Sequence, residues 1–106
     1  MISARQILTK WCDKMLSNYK LDTVELKKTQ PDDMLDKATL VIEHGNYVAS
    51  FTAWGEQGTT EWLVMDIQSG EAIITRDEEF SDVMQLELLV EKAMMDFQGF
   101  ETPPMN

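Results

Sequence analysis

The chain has 106 residues, 43% of them hydrophobic, which is enough to build one core in one domain without disulfide or metal staples. Nineteen acids against nine bases leave a formal charge of -10, which repels nucleic-acid phosphates and anionic membranes and favours a basic protein as partner. Cys12 is the single cysteine, so no internal disulfide can form; no apolar run approaches the about 20 residues of a membrane span, and Met1 to Arg5 lacks the apolar stretch of a signal peptide, so a cytoplasmic protein is expected.

From residue 3 to residue 19, Ile7, Leu8, Trp11, Met15 and Tyr19 recur at helical spacing, with Ser3 in place as an N-cap. The pattern predicts an amphipathic helix packed by one stripe, with Trp11 docking it onto a sheet. Cys12 reads as a small buried or half-buried side chain, since a nucleophile needs a base and the chain has one histidine. Thr23 to Lys28 alternates and is a candidate edge strand whose lysines discourage edge-to-edge pairing. Gln30 to Asp36 reads as an acidic loop or a single helical turn opened by Pro31.

Lys37 to Arg76 carries four runs rich in β-branched and aromatic residues, separated by turns at Gly45-Asn46, Gly55 to Thr59 and Ser69-Gly70, the signature of an antiparallel meander. With those turn lengths, Ala38, Leu40 and Ile42 face Ala53, Phe51 and Ala49. Phe51 then meets Leu63, Ala49 meets Met65, Tyr47 meets Ile67, and Ile67 and Met65 meet Ala72 and Ile74. One face is apolar in all four strands, and Phe51, Leu63 and Met65 are its expected core. The other face is mixed and holds Trp54 and Trp62.

Past the charged connection at Arg76 to Glu79, Ser81 is an N-cap candidate with Asp82 behind it. Leu86, Leu89, Val90, Ala93, Met94 and Phe97 make the stripe of a second amphipathic helix, Gly99 suits the position just past its end, and residues from about 100 to 106 form a frayed tail. Two such helices and one apolar sheet face predict an α+β two-layer sandwich. It is an antiparallel meander of four strands, five if Thr23 to Lys28 joins, with the N- and C-terminal helices on one face, in a single domain spanning 1–106.

Gly-x-Gly-x-x-Gly, a Walker loop, His-Glu-x-x-His and a cysteine pair are all absent from the sequence. Asp66 to Asp77 has the length of a calcium loop, but its sixth position is Glu71 where that loop needs glycine. Neighbouring carboxylates are inevitable with 19 acids, and His44 beside a tight turn reads as a solvated residue. No catalytic group, metal site or cofactor is expected, and the protein is read as a binder.

Trp54 and Trp62 stand as diagonal neighbours in the register above. They either cover Val48, Val64 and Ile73 or anchor an interface, whose cores are enriched in tryptophan. Glu43, Glu56, Asp66 and Glu71 supply an acidic rim that would steer a basic partner.

The run Tyr47 to Trp54, then Glu61 to Ile67 with Ser69-Gly70-Glu71 behind it, and the closing amphipathic helix together resemble the small immunity proteins of bacterial polymorphic (Rhs-type) toxin systems, in particular the TriTu family. The likeness covers about half the chain. It implies a non-enzymatic function: tight binding of a cognate toxin domain, an ADP-ribosyltransferase in that family, with the toxin's active site masked. Trp54, Trp62, Asp66 and Glu71 are the positions it carries over. The expected immunity protein is a monomer when free, binding neither nucleic acid nor membrane. The alternative is an acidic type III secretion chaperone, a class that is also small and α+β, but dimeric.

Overall fold

A computed structural model describes residues 3–30 and 34–101, with side chains through Gly99. Helix α1 (Ala4–Met15) is followed by a short turn of 3-10 helix at Leu16–Asn18 and five strands: β1 (Thr23–Lys28), β2 (Lys37–His44), β3 (Tyr47–Trp54), β4 (Thr59–Asp66) and β5 (Ala72–Glu79). Helix α2 (Val83–Glu101) closes the chain. The strands form one antiparallel sheet in sequence order, β1-β2-β3-β4-β5, so the α+β meander has five strands and Thr23 to Lys28 is its edge.

Both helices lie on one face. Ala4, Ile7, Leu8 and Trp11 of α1 and Leu86, Val90, Ala93, Met94 and Phe97 of α2 share a core with Leu40, Ile42, Ala49, Phe51, Trp62 and Val64 of the sheet. Trp11 also stacks on Tyr19, centroids 6.1 Å apart, which closes the first helix over its own exit.

The β2–β3 register is as predicted, Leu40 opposite Phe51 around a two-residue turn. Gly45 has φ 59 while no non-glycine residue among those described has positive φ, the pattern of a turn that needs glycine first. From β3 to β4 the expected register is corrected by one residue: Phe51 faces Trp62, and Ala49 faces Val64. The loop after Trp54 is four residues long, Gly55 to Gly58, and closes by Gly58 N–H donating to the Trp54 carbonyl at 3.0 Å. One residue fewer in a hairpin loop turns every side chain of the next strand to the opposite face. Trp62 and Val64 therefore point into the core, and Leu63 and Met65, expected there, stand half-buried on the outer face.

The β4–β5 turn is also four residues, Ile67 to Gly70, with Gly70 N–H donating to the Asp66 carbonyl at 2.8 Å. Ile67 thus lies in the turn, half exposed, rather than in the sheet. A register shift between Val64 and Met65 restores the phase, so that Ile74 still packs against the core while Ala72 points outward.

Helix α2 starts one residue later than expected. Asp82 is the cap, accepting from Gln85 N–H at 2.8 Å, while the Gln85 side chain reaches back to Ser81. The helix runs through Gly99 rather than stopping before it. The turn proposed at Pro31 and the tail beyond residue 101 lie outside the described residues.

Candidate functional site

The face of the sheet away from the helices is ordered by the registers into rows that cross the strands. Lys37, Trp54, Thr59 and Glu79 form the first row; Lys27, Thr39, Thr52, Glu61 and Asp77 the second. Glu25, Val41, Ser50, Leu63 and Thr75 form the third, and Thr23, Glu43, Val48, Met65 and Ala72 the fourth. The middle is half-buried and largely apolar, tied across β2 and β3 by a 3.0 Å hydrogen bond between the Thr39 and Thr52 hydroxyls.

Charge is sorted along the rows. Lys27 and Lys37 lie toward β1 and β2, whereas Glu61, Asp77 and Glu79 gather at the corner made by β4 and β5. Glu61 and Asp77 sit directly opposite one another, a like-charge arrangement that weakens the strand pair. Neither these two nor Glu79 has a cationic partner among the described residues. They line an open depression of about 720 Å³ together with Trp54, Gln57 and Thr59. Trp54 is half-buried there, with the Lys37 ammonium 5.6 Å from its ring centroid on the β2 side.

The other residues singled out in the sequence are dispersed. Trp62, expected on this face, is 1% exposed on the opposite one, between Phe51 and an edge-on Phe97, each ring 6.4 Å away. A partner cannot touch it without opening the core. The Asp66 carboxylate locks the β4–β5 turn, accepting from Asn46 Nδ2 at 2.7 Å and Gln68 N–H at 2.9 Å. Glu56 accepts from Asp36 N–H at 2.6 Å and pins the β3–β4 loop to the start of β2. Glu43 and Glu71 are exposed, at the far end of the sheet from the depression.

Glu61, Asp77 and Glu79, which the sequence reading missed as a group, become neighbours of Trp54 only in the corrected register. A signal was present: Trp54 to Thr59 and Asp66 to Glu71 both place glycine as the fourth loop residue, and both glycines have positive φ.

No group of three or more His, Cys, Asp or Glu side chains is arranged to hold a metal among the described residues, and no helix among them is long and apolar enough to cross a membrane. His44 sits 3.4 Å from the Asp22 carboxylate beside the β2–β3 turn. Burial, with Asp13 adding to it, pushes the Cys12 thiol up to about 11, so it is protonated at neutral pH. In comparison with known proteins, the chain matches no family model and no curated protein.

Proposed function

We propose that this chain is a binding protein that captures a basic protein partner on the outer sheet face, and that the partner is a toxin domain held inactive, as the resemblance to immunity proteins implies. The observation that carries the binding reading is Trp54, half-buried on a face that neither helix covers, beside three carboxylates with no cationic partner among the described residues. Aromatic anchors flanked by charge are how interfaces concentrate affinity, and a net charge of -10 steers a basic partner toward them. The protein acts as a non-enzymatic monomer in the cytoplasm of the cell that makes the toxin. On this reading the anchor is Trp54, and Glu61, Asp77 and Glu79 take the place of the rim expected at Glu43, Glu56, Asp66 and Glu71.

The deciding experiment starts from the preceding reading frame: where it encodes a large toxin, the variable C-terminal domain of that toxin is co-expressed with this chain and scored by survival and by calorimetric titration. Survival with tight binding is expected, weakened strongly by Glu61→Lys with Asp77→Lys. Death of the co-expressing cells, with no heat of binding, would remove the toxin reading.

The chaperone reading has one observation in its favour. Met84, Leu88 and Met95 are 69%, 57% and 67% exposed and lie on the side of α2 opposite its core stripe. Such a stripe suits a dimer of the kind those chaperones form. Light scattering on the purified chain separates the two: a monomer is expected, and a stable dimer favours the chaperone.

A further inference from the structure

We infer that the free edge of β5 is where the partner's own backbone joins the sheet, an extended segment with lysine or arginine at alternate positions adding as a sixth strand. The inference rests on the binding function proposed above and names how that binding is made.

Among the described residues β5 pairs only with β4, which leaves its second edge without a strand partner there. Phe80 N–H donates to the Gly58 carbonyl at 2.9 Å, which sets the phase of the ladder: in an antiparallel pair the inward-directed residues alternate, so Glu78, Arg76 and Ile74 also turn their backbone groups toward β4. The N–H and C=O groups of Thr75, Asp77 and Glu79 therefore point outward. All three residues are exposed, and their side chains stand on the outer face. A strand laid along this edge would bond to those backbone groups while its alternate side chains came to lie beside Asp77 and Glu79. The register shift at Val64/Met65 disturbs the ladder toward Ala72 and confines regular addition to the part of β5 from Ile74 onward.

Charge selects the occupant. The β5 edge of a second copy carries the same carboxylates and is repelled, so the edge is guarded against self-association yet receptive to a cationic strand. The opposite edge, β1, carries Lys27 and Lys28, and Lys28 Nζ donates to Thr9 Oγ1 of α1 at 3.1 Å. A cationic strand is disfavoured there. Strand addition, in which backbone hydrogen bonds give affinity and alternate side chains give specificity, is a known mode of peptide capture.

The test uses amide hydrogen exchange on the whole chain with a synthetic peptide of about ten residues, alternating lysine and threonine, and its glutamate counterpart as control. With the lysine peptide, the amides of Thr75, Asp77 and Glu79 should slow by about threefold or more, and the glutamate peptide should leave them unchanged. Thr75→Pro, which removes an outward N–H and no carboxylate at a position where edge strands tolerate proline, should abolish the effect. Asp77→Asn with Glu79→Gln should weaken it while every N–H is kept. Unchanged exchange at all three amides with the lysine peptide overturns the inference, as does equal protection by the two peptides. The two proposals fail separately: a toxin domain that binds while these amides exchange freely sinks the strand addition alone. Absence of any toxin domain binding sinks the proposed function, and the peptide result then decides the edge.

Discussion

The backbone N–H of Ala4 donates to Oδ2 of Asp36 at 2.6 Å, joining the first turn of α1 to the entry of β2 across 32 positions of sequence. Arg5 N–H reaches Oδ1 of the same carboxylate at 3.1 Å, and Arg5 Nε lies 3.1 Å from it. The helix N-terminus presents unsatisfied donors and a positive dipole end; the Ser3 hydroxyl caps it as expected, accepting from Gln6 N–H at 3.3 Å, and the Asp36 carboxylate from elsewhere in the fold takes the two donors before it. The Asp36 carbonyl also accepts from Gly55 N–H at 2.8 Å, so one residue holds a helix, a strand entry and a hairpin loop together.

Replacing Asp36 leaves the buried Ala4 N–H and the part-buried Arg5 N–H without their acceptor. Asp36→Ala should lower the unfolding free energy by about 2–4 kcal/mol, and Asp36→Asn by less, since its amide oxygen still accepts. Denaturant melts of both variants check this; an alanine variant as stable as the parent would mean that water replaces the carboxylate freely.

The two sheet tryptophans should respond oppositely. Trp62→Ala empties a site packed by Phe51 and Phe97 and should cost about 3–5 kcal/mol of stability. Trp54→Ala should cost less than about 1.5 kcal/mol in melting but at least about 2 kcal/mol in affinity for the toxin domain. Melting and titration on the same preparations make the comparison, and a Trp54 variant that binds normally would move the interface elsewhere.

Gly58 and Gly70 close equivalent loops with φ of 64 and 72, but their surroundings differ. A Cβ on Gly58 would stand 2.6 Å from the Phe80 carbonyl oxygen, whereas one on Gly70 meets nothing within 4 Å. Gly70→Ala should cost about 1–2 kcal/mol for the left-handed backbone alone, and Gly58→Ala about 3 kcal/mol or more. Equal melting losses would show that the β5 end gives way to the added methyl.

Cys12 should be a slow nucleophile. With its thiol raised from 9.0 to about 11, the thiolate at pH 8 is about 100-fold scarcer than in a free thiol, and iodoacetamide labelling should slow accordingly. The folded chain keeps its proton where the unfolded chain has lost it. This contribution to stability is therefore complete below about pH 9 and disappears as pH rises through about 11. Labelling of native protein as fast as in denaturant would show the site to be open.

The helical stripes were legible because their period repeats over several turns: Ile7, Leu8 and Trp11, and then Leu86, Val90 and Phe97, are buried where the spacing puts them. The β2–β3 pairing was legible because Gly45-Asn46 leaves little freedom in turn length. The outer face was not, because leucine, methionine and tryptophan alternate in β4 without declaring a polar side, and a loop misjudged by one residue exchanges Leu63 for Trp62. Asp36 was hidden for another reason. Its partners are backbone N–H groups far away in sequence, and such groups leave no mark in the amino-acid pattern.

Every strand here pairs with the strand next to it in the chain, so the sheet can zip from any hairpin by closing one short loop at a time. Most of the search during folding is thereby local. The costly remaining step is the return of the first helix, and that step cannot be completed until the beginning of β2 exists to receive it. An emerging chain should therefore hold its N-terminal segment undocked until the β2–β3 hairpin is made, and docking of that helix should be the late event in refolding.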